Sequence, residues 1–79
     1  MTNLEKYNQV FTDVFSVAEL QLGSDFDSLH VDGWDSVRQL SLTTAIEDTF
    51  DIMLDAEDIL DFNSYEKGKA ILGKYEIIF

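Results

Sequence analysis

Asp35-Ser36-Val37-Arg38-Gln39-Leu40-Ser41-Leu42-Thr43-Thr44-Ala45-Ile46-Glu47-Asp48-Thr49-Phe50-Asp51-Ile52 is the stretch on which the fold turns. Leu42, Ala45, Ile46 and Phe50 fall on one face at 3.6 residues per turn, which predicts a helix from about Ser36 to Phe50. Val37 and Leu40 lie away from that stripe and share their side with Ser41, Thr44, Glu47 and Asp48. Gly33, just upstream, lets the chain turn sharply before the helix begins.

Working outward, Leu4, Tyr7, Val10, Phe11 and Val14 recur at helical spacing, with Phe15 extending the stripe. They predict a first helix from about Asn3 to Phe15, capped by Thr2 or Asn3. From Ser16 to Asp35 the periodicity breaks down. Gly23, Asp25, Asp27, Asp32 and Gly33 read as loop residues, while Leu20, Leu22, Phe26, Leu29 and Val31 are apolar enough to pin that loop to a core. A loop of this length is unusual in a small domain and is often functional. Beyond Ile52, a short third helix is expected over Ala56 to Leu60, with Asp55 as its cap and Ile59 and Leu60 facing inward. A fourth is expected after Asn63, where Asn63 and Glu66 have capping-box spacing and Tyr65, Ile71, Leu72 and Tyr75 supply the apolar side. Gly68 inside it costs roughly 1 kcal/mol relative to Ala. The tail Glu76-Ile77-Ile78-Phe79 is apolar and carries no pattern that places it. The sum is an all-α chain: an antiparallel four-helix bundle, one domain over residues 1–79, with a long loop between helices 1 and 2 and a short third helix.

Composition narrows the function. The 79 residues hold 16 acidic and 5 basic side chains, a formal net charge of -11, yet 46% are apolar and 13% aromatic. That is too apolar for a disordered acidic tail. The charge argues against nucleic acid, whose phosphates demand Lys and Arg, and against an anionic membrane. There is no cysteine, hence no disulfide, no Cys-based zinc site and no protein thiol for catalysis. His30 is the single histidine and reads as a loop surface residue, with no partner for metal binding or proton relay. The first residues, Met-Thr-Asn-Leu-Glu-Lys, form no apolar signal core, and no apolar run approaches the ~20 residues of a membrane helix. The expectation is an intracellular, cytoplasmic monomer.

The charge is uneven. Between residues 25 and 61 stand Asp25, Asp27, Asp32, Asp35, Glu47, Asp48, Asp51, Asp55, Glu57, Asp58 and Asp61 against Arg38 alone, while Lys67, Lys69 and Lys74 lie toward the C-terminus. A solvated face that keeps a small protein soluble accounts for this by default, although it leaves the clustering at one loop-to-helix junction without a reason. At that junction Asp35 is a good cap. If it caps, Ser36 is the first helical residue and its hydroxyl is free; if Ser36 caps, its oxygen is occupied by the backbone. An anionic group on Ser36 would lie at the positive end of the helix dipole beside unpaired N–H groups, so the serine is a physically sensible site for a phosphate ester. An Asp-Ser pair is also an ordinary helix start.

Two rival classes fit an acidic helical chain. A calcium loop needs oxygen ligands at alternating positions, a central Gly and a Glu at the twelfth. Counted from Asp25, the sixth and twelfth positions are His30 and Ser36; from Asp51 they are Ala56 and Phe62, and both registers fail. An acidic interaction protein or nucleic-acid mimic would need no modification and would keep full activity with Ser36→Ala.

The stretch from Asp35 to Ile52 resembles the acyl carrier protein family. The family pattern there is Asp-Ser-Leu, spaced aliphatics, then Leu-Glu-x-x-Phe, and Asp35, Ser36, Leu42, Ile46, Glu47 and Phe50 stand in register with no gap. Ile52 and Leu54, the acidic short helix and Asn63-Ser64-Tyr65 extend the likeness over nearly the whole chain. The resemblance implies that a phosphopantetheinyl transferase attaches 4′-phosphopantetheine to Ser36. The arm's thiol then carries acyl groups as thioesters between acyl-loading and acyl-transfer enzymes with basic docking patches. The carrier itself performs no chemistry, which suits the missing cysteine.

The chain departs from that pattern in places. Trp34 replaces the small residue usual two positions before the serine, Val37 stands where Leu is typical, and Arg38 where an acid is common. Ser41 and Thr44 replace an acid and a Met often seen in fatty-acid carriers. Peptidyl carriers, a nearer variant, place His or Asp before the serine after paired small residues, which Trp34-Asp35 matches poorly. The chain looks more like stand-alone carriers of specialised pathways, such as surface-glycan and secondary-metabolite clusters, than a housekeeping fatty-acid or polyketide carrier. The docking reading falls on Val37 and Leu40 as an apolar patch, with Asp35, Glu47 and Asp48 as rim charges, and Asp51 a further candidate. Leu40 could equally tuck under the third helix. Trp34 is expected as a packing anchor that holds the loop.

Overall fold

In the computed structural model, which describes residues 1–79, the chain enters its first helix through a capping box. The Thr2 hydroxyl accepts the Glu5 amide at 3.1 Å, and the Glu5 carboxylate accepts the Thr2 amide at 3.0 Å. Helix α1 then runs over Asn3–Phe15 and ends on Ser16 in the left-handed region. A single 3-10 turn, Glu19–Gln21, interrupts the connection to α2, Ser36–Phe50. Helix α3 spans Ala56–Asp61 and α4 spans Tyr65–Gly73. There is no strand, only one antiparallel bridge between Asp27 and Ser64. The radius of gyration is 11.3 Å, close to the ~11.6 Å expected for a folded chain of this length. No helix is long and apolar enough to cross a membrane.

α1 and α2 make the main helix–helix contact. Tyr7, Val10 and Phe11 of α1 meet Leu42 and Ile46 of α2, and Leu54, Phe62, Tyr65, Ile71 and Leu72 complete the core. Phe11 is the hub of an aromatic cluster, 4.9 Å from Tyr7, 5.3 Å from Tyr65 and 5.8 Å from Phe26 between ring centroids. The Tyr7 hydroxyl donates to the Tyr65 carbonyl at 2.6 Å, so its buried oxygen is satisfied.

The core stripes on α1 and α2 follow the sequence, with differences that have physical reasons. Leu4, in the first turn at the open end of α1's apolar stripe, is partly exposed. In the long connection, Phe26 is buried and Leu22 and Val31 pack against the core, whereas Leu20 and Leu29 face solvent. Leu60 is also exposed, at 79%, because α3 turns Asp58 and Ile59 inward instead. Asp58 can be buried because Lys74 and Tyr75 both bond its carboxylate, at 2.5 and 2.6 Å. Asp55 precedes α3 without a side-chain cap; its own amide donates to the Tyr75 hydroxyl at 3.0 Å.

Helix α4 is capped by Ser64, whose hydroxyl accepts the Lys67 amide at 2.8 Å, and not by Asn63. Residues 26–28 and 63–65 pair through Ser28 N–H to Asn63 O (2.9 Å) and Tyr65 N–H to Phe26 O (2.8 Å). That pairing keeps Ser64 extended, which makes it the last residue outside the helix. Gly68 is buried where a Cβ would lie 2.2 Å from the Tyr7 hydroxyl and 2.5 Å from the Phe62 ring. The tail also finds a place. Ile77 joins the core, Phe79 packs 5.0 Å from Tyr7, and the Asn3 side chain donates to the Ile78 carbonyl at 3.0 Å.

Candidate functional site at the start of α2

The approach to Ser36 is organised by Asp27. Its Oδ1 accepts the amides of Leu29 and His30, both at 2.9 Å, and lies 2.8 Å from the exposed His30 ring. The His30 bond holds the Asp27 carboxyl below the usual range, with the two amides adding to it. Gly33 then adopts φ +84°, a left-handed turn that a side chain would strain. Trp34 is buried against Phe15, 4.7 Å between centroids, and against Phe26 and Phe11. It is the anchor that fixes the loop to α1.

Asp35 takes the cap. Its carboxylate accepts the Arg38 amide at 2.9 Å, and its carbonyl accepts the Gln39 amide at 2.8 Å. Ser36 is therefore the first helical residue; it is exposed, and its hydroxyl takes no part in the capping bonds. The Ser36 and Val37 amides belong to the first turn, where a helix offers no carbonyl to receive them. Two residues on, the Arg38 guanidinium turns away from this face. It donates to the Val14 carbonyl at the end of α1 and sits 5.9 Å from the centre of the Phe15 ring. Trp34 and Arg38 thus bracket Ser36 and bind its turn to the last turn of α1.

Val37 and Leu40 are 74% and 61% exposed, so Leu40 does not tuck under α3. Ser41, Thr44 and Asp48 are exposed along the same side of α2. Glu47 is different from the other acids: it is half-buried, and its Oε2 accepts the Leu54 amide at 2.8 Å, closing the turn after α2. Asp35 combines exposure with its capping bond. The two surface depressions, each about 360 Å³, lie elsewhere. One is lined by Met1, Lys6, Gln9, Val10, Asp13 and Thr49, the other by Asp27, Ser28, Leu29, Asn63 and Ser64.

One residue here escapes the reading of the sequence. The Gln39 carboxamide accepts the Trp34 indole N–H at 2.6 Å and donates to the carbonyls of Ile59 (2.7 Å) and Phe62 (2.6 Å). Its position gave a signal, because residues 39, 42, 43, 46 and 50 form one helical stripe in which Gln39 and Thr43 are the polar members. No protein-family model matches the chain, and no curated protein sequence matches it.

Proposed function

We propose that the chain is a stand-alone acyl carrier, its helices arranged as an antiparallel four-helix bundle, with 4′-phosphopantetheine attached to Ser36. The observation that carries this reading is the division of labour at the start of α2: Asp35 caps the helix, and the exposed Ser36 hydroxyl is left free. An Asp cap followed by serine is in itself an ordinary helix start; what supports the carrier reading is that no bond within the fold engages the Ser36 hydroxyl, at a turn whose amides favour an anion.

The residues fit the group. Ser36 Oγ would hold the phosphodiester, and the Ser36 and Val37 amides, with the positive end of α2, favour its negative charge by about 0.3–1 kcal/mol. When bound, the arm supplies a thiol that holds an acyl group as a thioester. The chain's own residues present that arm and identify the carrier to its enzymes. Val37 and Leu40 offer a small apolar contact, and Asp35, Asp48 and the outer part of Glu47 steer basic surfaces toward it. The partners are a phosphopantetheinyl transferase and the acyl-loading and acyl-transfer enzymes of a specialised biosynthetic pathway; catalysis belongs to them.

Coexpression with a promiscuous phosphopantetheinyl transferase tests this. The wild type gains the mass of one phosphopantetheinyl group, mapped to Ser36 by peptide mass spectrometry, and Ser36→Ala gains none. Equal modification of both would refute the site. No modification, together with full biological activity of Ser36→Ala, would favour an acidic interaction protein.

A further inference from the structure

Helix α3 has six residues, Ala56–Asp61, too few to persist as a helix in water alone. Both of its ends are held by side chains from other elements. At its start, the Tyr75 hydroxyl accepts the Asp55 amide and donates to the Asp58 carboxylate, which Lys74 also reaches. At its end, the Gln39 carboxamide donates to the Ile59 and Phe62 carbonyls, in the turn where a helix leaves carbonyls short of partners. The same carboxamide accepts from Trp34, which is packed on α1. An indole N–H can only donate and a carbonyl can only accept, so the orientation of the amide is fixed. Its oxygen faces Trp34, and both of its hydrogens go to α3.

We propose that Gln39 is a positioning residue that couples α3 to the Ser36 junction. Turning the carboxamide to release α3 leaves the indole N–H of the buried Trp34 without an acceptor. Turning it to release Trp34 takes the side-chain donor from two carbonyls at the end of α3, of which Ile59 keeps only a long 3.4 Å bond from the Phe62 amide. The contacts are therefore made and lost together. Trp34 stands two residues before Ser36 and Gln39 three after it, so a change in α3 is felt on both sides of the serine. Leu60 and Met53, exposed on and beside α3, give a partner a grip on that element. The consequence for arm loading rests on the carrier reading above; the coupling itself does not.

The test uses the unmodified full-length chain, so its outcome is separate from that of Ser36 modification. Amide-exchange protection of residues 56–62 is read against that of α4, together with the NMR resonance of the single indole N–H, in wild type, Gln39→Leu, Gln39→Glu and Trp34→Phe. At pH 7 both Gln39 variants lose α3 protection about tenfold or more relative to α4. The indole resonance moves in Gln39→Leu, and keeps a hydrogen-bonded shift in Gln39→Glu, whose carboxylate still accepts. Near pH 5 the introduced carboxyl, facing two carbonyl oxygens, takes up a proton and donates to one of them, and α3 protection recovers in part, in Gln39→Glu alone. Trp34→Phe also loosens α3, although the donor it removes bonds only Gln39. Wild-type α3 protection in Gln39→Glu at pH 7, or in Trp34→Phe, would overturn the coupling. Should Gln39→Leu not fold, those two variants decide.

Discussion

The Asp35 carboxylate accepts the Arg38 amide at 2.9 Å, and this bond is what releases the Ser36 hydroxyl from service to the backbone. Asp35→Ala is therefore expected to lower stability by about 1 kcal/mol, and Asp35→Asn by only a few tenths, because asparagine retains a capping oxygen. Urea unfolding separates the two. Equal losses would mean that the charge, and not the cap, is what Asp35 contributes. The alanine variant should also be a poorer substrate for Ser36 modification, since the first turn then competes for the serine oxygen.

Gly68 reverses the ordinary expectation for a glycine in a helix. Replacing it by alanine usually stabilises by close to 1 kcal/mol. Here the new Cβ would meet the Tyr7 hydroxyl and the Phe62 ring at distances no real contact shows. Both neighbours are fully buried and Tyr7 is tied to the Tyr65 carbonyl, so neither can withdraw cheaply. Gly68→Ala is expected to destabilise by about 1–3 kcal/mol. A variant at least as stable as wild type in urea would show that α4 sits farther from α1.

The bounds of α1 and α2 were legible because apolar periodicity, caps and the Gly33 turn agree with one another. What was not legible depends on pairings between distant residues. Leu60 and Asp58 exchange places relative to hydropathy, because Lys74 and Tyr75 make burial of a carboxylate tolerable, and nothing local announces that. Ser64 displaces Asn63 as a cap because a segment nearly forty residues upstream holds it extended. Gln39 lies on the core stripe of α2, but its three partners, the Trp34 indole and two carbonyls, come from other segments and nothing local names them. At the site, the Asp-Ser junction and the exposure of Val37 were readable from the sequence and the wheel, whereas Leu40 stood equally well under the third helix until the structure placed it 61% exposed. The double duty of Glu47 was not, since its partner is a backbone amide beyond the helix.

Acid should act on this chain in two opposite ways. Hydrogen bonds from Lys74, first, and from Tyr75 hold the Asp58 carboxyl below the usual carboxylate range. A group depressed in the folded state contributes stability that is complete above its unfolded pKa of about 3.9 and is lost as pH falls through the folded value. Against this, protonating the exposed acids relieves a net charge of -11. The urea midpoint is expected to rise as pH drops from 7 toward about 4.5, then to fall at lower pH. Asp58→Asn should flatten the fall and leave the rise. Tyr75, held above its ordinary value chiefly by its bond to Asp58, adds an alkaline limb: its contribution is complete below about pH 10 and lost above. Tyr75→Phe should shrink that limb without abolishing it, because Tyr7, raised by burial, and Lys74, raised by its bond to Asp58, lose stability in the same range. An acid limb unchanged by Asp58→Asn would assign it to other carboxylates, such as Asp27.

Self-repulsion also predicts a salt response. Sodium chloride or magnesium should raise the melting temperature, because screening acts on the crowded acids between residues 25 and 61 more than on the few surface ion pairs. Calorimetry at low and high salt checks this, and a fall would contradict the charge argument.

The outer face of α2 separates partner recognition from stability. Asp48 is exposed and makes no bond that holds the fold, so Asp48→Lys should change stability by less than about 0.5 kcal/mol. Glu47→Lys loses the acceptor for the Leu54 amide and should cost about 1 kcal/mol, whereas Glu47→Gln keeps an oxygen there. Val37→Ser and Leu40→Ser alter side chains that are already mostly in water and should also leave the fold intact. If this face meets basic partner enzymes, Asp48→Lys slows arm attachment at low salt, and the defect shrinks as salt rises, because it acts on charge steering. The two serine variants slow the same reaction at every salt concentration, because they remove apolar contact. Attachment rates measured across a salt series, beside urea curves for each variant, distinguish these outcomes. Wild-type rates in all three variants, with wild-type stability, would move the docking surface off α2.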